Sequence, residues 1–287
     1  MNSIKELQNR PENLKLLAAQ RVAYEHAKRI FGWQVLLTVG FAIVFNFIRL
    51  LPKDSILNLL PYIISFAVIA TLLDLLVFVK YISKLRTNGA KVQEEFDCAV
   101  YKMVWNSYNC GAKADKTFIH DMYRSYNPDT RRPIEDWYDI NLEGLTQQNA
   151  ILLCQETNLW YDSNLREKFK NIALYVLFGV AATSFIISIV MKQDIGMIMI
   201  QVIAPLLPAI VLTIKIYQEN DKSIKAANEL TRAVSSLKQS TTNPSMEDLR
   251  KIQDKIFCSR KDGSLVPEWF YRINRPRLEE GMKVHTS

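Results

Sequence analysis

Chemistry at a protein site needs acids, bases, nucleophiles or metal ligands held close together, and this chain spaces them apart. His26, His120 and His285 are scattered. Cys98, Cys110, Cys154 and Cys258 form no Cys-x-x-Cys pair, and no His/Cys group has zinc spacing, so no metal site is expected. No G-x-x-x-x-G-K-[ST] phosphate loop, dinucleotide G-x-G-x-x-G, nucleophile elbow or zincin helix occurs. Neither an enzyme nor a cofactor is expected. Trp105, Trp137, Trp160 and Trp269 do accompany many arginines. Aromatic faces and guanidinium groups can stack a nucleobase and hold phosphate. They equally build a packed core or meet a membrane surface.

The remaining polar candidates lie in uncharged windows. The 287-residue composition is ordinary on average, 49% hydrophobic and 23% charged, but it is segregated. Residues 31–48, 55–73, 171–191 and 195–214 carry no charge, and the segments between them are dense in it. A helix rises about 1.5 Å per residue and a bilayer core is about 30 Å thick, so each window can span or nearly so. Backbone amides in lipid must bond within the segment, which makes these windows helices. Helices buried in a soluble protein are the other reading, but four windows in two close pairs are hard to bury that way. A secreted disulfide scaffold and a disordered tail are excluded. Residues 1–30 hold no signal peptide pattern.

Span two continues to Val79 and so encloses Asp74. A carboxylate in a span is costly and tends to be functional. It is either an interfacial group paired with a flanking lysine or arginine, or a pore-mouth or gating residue. Asn46, Gln201, Thr183, Ser184 and Ser188 either hydrogen-bond helix to helix or line a water path. Pro205 and Pro208 interrupt the ladder of span four and act as a static kink or a hinge.

Of 36 Lys and Arg, only Arg49, Lys53 and Lys192 lie in the short links between paired windows. An even number of spans puts the rest on one side, and the positive-inside rule makes that side cytoplasmic. The net charge of +7 reads as membrane-flanking charge near anionic lipid; no stable nucleic-acid complex is expected. The cysteines face the cytoplasm as thiols. The expected fold is an all-α integral membrane protein with four transmembrane helices in two hairpins and a helical cytoplasmic domain. Residues 1–29 form a cytoplasmic amphipathic segment, 30–79 the first hairpin and 80–170 a cytoplasmic helical domain. Residues 171–214 form the second hairpin, and 215–287 a helical C-terminal segment.

Local patterns refine this. Ile4, Leu7, Leu14, Leu17 and Ala18 share a face, interrupted at Arg10-Pro11. Residues 88–109 read as an amphipathic helix with Glu94, Glu95 and Asp97 near its start, where the dipole favours them. A shorter helix is expected from Asp115 to Tyr126, then irregular chain over 127–145, then a helix capped by Thr146 that runs into span three. Span four runs on into 215–239, where Ile224, Ala227, Leu230, Val234 and Leu237 form a stripe for a neighbour in the same or another subunit. Leu51-Pro52-Lys53-Asp54 is a turn and 241–245 a loop. Ser245 with Asp248 begins a helix to about Ser259, Asp262-Gly263 is a turn, and the tail from Val266 is aromatic and basic.

Four stretches carry a resemblance. They are Leu7-Gln-Asn-Arg with Leu17-Ala-Ala-Gln-Arg-Val-Ala-Tyr-Glu-His-Ala-Lys28; Gln93-Glu-Glu-Phe-Asp-Cys-Ala-Val-Tyr-Lys-Met-Val-Trp-Asn106; Cys154-Gln-Glu-Thr-Asn-Leu-Trp-Tyr-Asp-Ser-Asn-Leu-Arg166; and Val266-Pro-Glu-Trp-Phe-Tyr271 ahead of Arg275. With the two-hairpin layout, the chain resembles the S-4TM family of bacterial pore-forming effectors over nearly its whole length. The resemblance implies a homo-oligomeric effector of a CBASS-type anti-phage system in the inner membrane, with both termini cytoplasmic. It implies a cyclic di- or trinucleotide, made by a partner cyclase, as regulatory ligand, opening or closing the pore and leading to abortive infection. Trp160, Asp162, Arg166 and Arg275 are then the expected signal-coupling residues. Asp74, Asn46, Gln201, Pro205 and Pro208 are the pore or gate candidates. A non-conducting membrane scaffold for a cytoplasmic signalling partner is the alternative.

Overall fold

A computed structural model describes residues 2–48, 53–130, 133–239 and 243–286. Among them all regular structure is helical. The N-terminal part comprises α1 (Ile4–Gln8), α2 (Pro11–Val35), a π-helical turn (Leu36–Gly40) and α3 (Phe41–Ile48). Next come α4 (Lys53–Leu73), a π turn (Asp74–Phe78) and α5 (Val79–Tyr101), then the short α6 (Ser107–Cys110) and α7 (Lys116–Arg124). The long α8 (Gln147–Val190) follows, then α9 (Ile195–Ile198), a third π turn (Met199–Ile203) and α10 (Ala204–Gln239). The chain closes with α11 (Met246–Asp262) and α12 (Glu268–Thr286).

Four continuous helical rods result: Pro11–Ile48, Leu59–Tyr101, Gln147–Val190 and Ile195–Gln239, of 38 to 45 residues. At about 1.5 Å per residue each is roughly twice as long as a bilayer core is thick. Each rod therefore has an apolar membrane half and a charged half, and the charged halves form a bundle outside the membrane. Phe47, Leu76, Ile189 and Val190 are exposed on the apolar halves, as side chains facing lipid must be. Inside, Ala42, Val202, Leu206 and Ala209 are buried, small residues among them letting the spans approach closely.

The local signals act as expected at most helix starts. Arg10 is extended (φ −67°, ψ 141°) because Pro11 excludes the helical conformation before it, and Pro11 occupies the first turn of α2. Thr146 Oγ1 accepts from the Asn149 amide at 3.3 Å, Ser245 Oγ from the Asp248 amide at 3.1 Å, and Asp115 Oδ1 from the Thr117 amide at 2.7 Å. The turn at Leu51-Pro52, residues 241–242 of the expected loop and the cation Arg49 lie outside the described residues, as does the side chain of His285.

One expectation is corrected. No helix starts near residue 88; span two continues through it, and α5 ends at Tyr101, where Lys102 is left-handed at φ 57°. Glu94 and Asp97 thus occupy the last turns of α5, the end the dipole disfavours for acids, and other groups must hold them there. The aromatic, basic tail is helical: Pro267 precedes α12, and Phe270 is buried.

In the bundle α2 lies along α5 and α8 along α10, with α11 against α5, α8 and α10, and α12 along α8. Leu17, Phe96, Tyr101, Ile151, Val234 and Leu249 belong to the main core. The stripe on α10 packs within the same chain, Ala227, Leu230 and Val234 joining that core. A second core at the level where bundle meets spans joins Phe31, Ile82, Phe169, Leu212, Val266 and Phe270.

All four cysteines are free, and Cys98, Cys110 and Cys154 are buried while Cys258 is partly exposed. Burial pushes the Cys98 and Cys110 thiols up to about 12 and the Cys154 thiol well above its ordinary value. Maleimide at pH 7 is therefore expected to label Cys258 alone in the folded protein and all four after denaturation, read by intact mass. Labelling of Cys154 in the native protein would contradict the packing of α8.

Candidate functional site at the junction of bundle and spans

The linker between α11 and α12 is where the rods are tied together. Gly263 ends α11 in an extended conformation (φ −70°, ψ 145°), its amide donating to the Ser259 carbonyl at 2.8 Å. Arg86 of α5 donates through Nη1 to the Gly263 carbonyl at 2.8 Å and pairs with Glu219 of α10 at 3.4 Å. Arg166 of α8 donates through Nη1 to the Ser264 carbonyl at 2.7 Å and to Asn220 Oδ1 of α10 at 3.1 Å, while its Nε meets Asp162 Oδ2 at 2.7 Å. Arg166 is 7% exposed. Two guanidinium groups on the stalks of spans two and three thus grip consecutive carbonyls of one linker, and both reach α10, the stalk of span four. The space is closed: a Cβ on Gly263 would lie 2.7 Å from the Ser259 carbonyl oxygen and 2.8 Å from Arg166 Nη1 and Ser223 Oγ.

Other ion pairs ring the same level. Lys28 of α2 meets Glu268 of α12 at 2.9 Å, and Lys170 of α8 meets Asp221 of α10 at 3.2 Å. Trp160 and Arg275 take part differently from Arg166. The Trp160 ring lies against α12 at Gly281, where a Cβ would stand 2.8 Å from it. Arg275 of α12 pairs with Glu279 at 2.5 Å, and both charges act on Tyr161, whose ring stands 6.1 Å from that of Tyr271. So Asp162 and Arg166 join directly at the linker, whereas Trp160 and Arg275 sit in the adjoining α8–α12 contact. Arg86, Asn220, Gly263 and Ser264 escaped sequence reading. Arg86 looks like any flanking cation, and an Asp-Gly turn does not disclose that it is buried.

The polar groups of the spans are drawn inward. Asp74 accepts from Gln34 of span one and is 4% exposed, so its partner is a neutral amide rather than a flanking cation. Asn46 Oδ1 accepts from Ser184 of α8 at 2.7 Å, Ser188 Oγ donates to the Ser184 carbonyl at 3.0 Å, and Gln201 Oε1 accepts from Gln193 at 2.7 Å. Thr183 is exposed and bonds the Gly179 carbonyl at 2.8 Å. Asp74 opens one π turn and Gln201 lies in another. Pro205, which offers no amide to its preceding turn, lies two residues beyond the π turn that holds Gln201, and Pro208 lies one turn on; both are buried.

A buried acidic network lies deeper in the bundle. Glu94 and Asp97 are fully buried on α5. Arg250 of α11 meets Glu94 at 2.5 Å and Arg260 meets Asp97 at 2.5 Å. Gln253 donates to both carboxylates, at 2.8 and 2.9 Å, and the Tyr138 hydroxyl donates to Asp97 at 2.7 Å. Burial, then the charge of Asp97, holds the Glu94 carboxyl above the usual carboxylate range. These partners offset the unfavourable end of the α5 dipole. The signal was present: Asp97 and Tyr101 flank Phe96 and Val100 on the face that must be buried.

The tryptophans do not converge. Trp105 Nε1 donates to the Gly111 carbonyl at 2.9 Å, Trp137 meets Phe96 edge-on at 6.5 Å, and Trp269 is exposed near the membrane level. Among the described residues no group of His, Cys, Asp and Glu is arranged to hold a metal.

Residues 2–287 match the model of the SMODS-associating 4TM effector domain. The chain is also 25% identical over 294 residues to a Bacillus cereus (strain VD146) protein named a probable CBASS effector molecule, a match covering 96% of this chain and 95% of the relative. No solved structure matches. With four rods able to cross a membrane and a family match from end to end, the chain belongs to the SMODS-associating 4TM effector family.

Proposed function

We propose that this chain is the membrane effector of a CBASS-type anti-phage system, a homo-oligomeric pore in the bacterial inner membrane gated by a cyclic oligonucleotide from a partner cyclase. Its bundle and both termini face the cytoplasm, and the lysine and arginine asymmetry supports that orientation. Opening dissipates the membrane gradient and stops growth before phage matures. The observation that carries the reading is the clamp of Arg86 and Arg166 on the 263–264 linker. A ligand that re-packs α11 or α12 moves this linker, and the linker pulls on the stalks of spans two, three and four. That is a rigid-body route from bundle to pore. Trp160, Asp162, Arg166 and Arg275 are its coupling residues. Asp74, Asn46 and Gln201, with Pro205 and Pro208, are the groups whose bonds would be rearranged on opening.

The scaffold reading draws on one observation: within a single chain Asp74, Asn46 and Gln201 are used in hydrogen bonds between protein groups. It predicts no ion flux under any ligand. The test is potassium and dye release from liposomes holding the purified protein, with a panel of cyclic di- and trinucleotides. Release that depends on one nucleotide supports the pore, and suppression of constitutive release reverses the sign of gating. No release from inserted protein rejects it in favour of the scaffold. Arg166→Ala orphans Asn220 Oδ1 and the Ser264 carbonyl, at about 1–3 kcal/mol each. It is expected to reduce ligand-dependent release to the ligand-free level, and full release from that variant would remove Arg166 from the coupling path.

A further inference from the structure

A groove of about 560 Å³ runs down the molecule between α2, α8 and α10, from the ion-pair belt into the spans. We propose that it is a binding site for one glycerophospholipid, an acyl chain in the groove and the phosphate at Arg29. The inner wall is apolar, with Val35, Val39, Val176 and Val180 among its lining residues. Along α8 it extends from Phe169 to Val180, roughly 16 Å at the helical rise, about half of a bilayer core. The groove is thus one leaflet deep and starts at the level of the lipid headgroups.

Its depth and lining suit a hydrocarbon chain: an apolar wall about one leaflet long that opens at a polar mouth. The mouth supplies the polar end. Lys28 is committed to Glu268 at 2.9 Å and lies 5.5 Å from the Tyr271 ring centroid, and Glu268 also meets Arg272 at 3.3 Å. Glu25, at the same mouth, has a partner of its own. Arg29 is exposed and makes no ion pair or hydrogen bond among the described residues. It is therefore the cation open to a phosphate, and exposed Trp269 stands beside it, the residue type that settles at membrane interfaces. The groove is open beside Gly32, where a Cβ would have no neighbour within 4 Å. Because Pro267, Glu268 and Trp269 form part of the mouth, an occupying lipid also rests on the start of α12, just beyond the clamped linker.

The test is native mass spectrometry of the delipidated full-length protein in detergent, after incubation with phosphatidylethanolamine, phosphatidylglycerol, diacylglycerol or the glycerophosphate headgroup alone. One retained phospholipid per chain is expected, with diacylglycerol and the bare headgroup retained much less. Gly32→Trp and, from the opposite wall, Ala173→Phe should each lower phospholipid retention about tenfold, the effect of roughly two methylenes of lost chain burial. Arg29→Gln should abolish the preference for phospholipid over diacylglycerol. Unchanged melting temperatures of the variants show that the groove, not the fold, was altered, and two filling variants keep the test open if one fails to fold. Equal retention by wild type and both filling variants overturns the proposal. So does equal retention of diacylglycerol, binding of the headgroup alone, or a filling variant that changes subunit number without losing lipid. The result stands or falls independently of ion conduction.

Discussion

Gly263→Ala is expected to abolish ligand-dependent release from liposomes while leaving the protein folded and inserted. The added methyl would lie 2.7 Å from the Ser259 carbonyl oxygen and 2.8 Å from Arg166 Nη1. The carbonyl belongs to the last turn of α11 and cannot swing aside, so the linker or the guanidinium must move. Overpacking of this kind costs about 1–3 kcal/mol, too little to unfold a bundle of this size but enough to break the Arg166 grip on Ser264. Gly281→Ala is the control. Its methyl meets the Trp160 side chain, also at 2.8 Å, and an indole can tilt away. The expected order is a large loss for Gly263→Ala and a small one for Gly281→Ala, measured as potassium release at saturating nucleotide. Equal release from Gly263→Ala and wild type would show that the linker does not carry the signal.

Asp97→Ala is expected to be among the most damaging substitutions to stability in the bundle. It leaves Arg260, whose side chain is 12% exposed, without its carboxylate. It also strips an acceptor from Tyr138 and from Gln253. Breaking a buried pair from one side costs about 3–5 kcal/mol, because the surviving charge stays out of water. The thermal midpoint in detergent should fall by about 10 °C, and Tyr138→Phe, which removes the hydroxyl's bonds with Asp97, Tyr101 and Asn158 but leaves the ion pair intact, should shift it less. Glu94 adds a dependence on pH. Its carboxyl binds a proton more tightly in the folded protein than in the unfolded chain. Its contribution to stability therefore falls as pH rises from the ordinary carboxylate value through its raised one. Glu94→Gln should remove that slope. A midpoint for Asp97→Ala within a degree or two of wild type would mean that Arg260 reaches water, and the packing of α11 on α5 would need revision.

The membrane architecture was legible because hydropathy and charge are properties of contiguous residues. An uncharged run long enough to cross lipid must be helical, since no other local structure satisfies its backbone there. The caps at Thr146 and Ser245 and the break at Arg10-Pro11 were legible for a similar reason: a side-chain oxygen or a proline ring acts on amides only a few residues away. The helix over 88–109 was misplaced because one amphipathic pattern fits both a new helix and the continuation of span two.

The sequence by itself determined that this is an α-helical protein with four helices able to span a membrane, and that charge is concentrated beyond one end of them. Family membership also followed from the order of short motifs along the chain. Which polar groups meet was decided only in three dimensions. Arg86, Arg166 and Gly263 are far apart in sequence, as are Glu94, Asp97 and Arg260, and no local period links them. Their meeting depends on how four rods twist about one another, which is set by side-chain volumes summed over the whole interface. A helical pattern states which face of a helix is buried. What that face is buried against belongs to the tertiary structure, and so does the clamp on the linker.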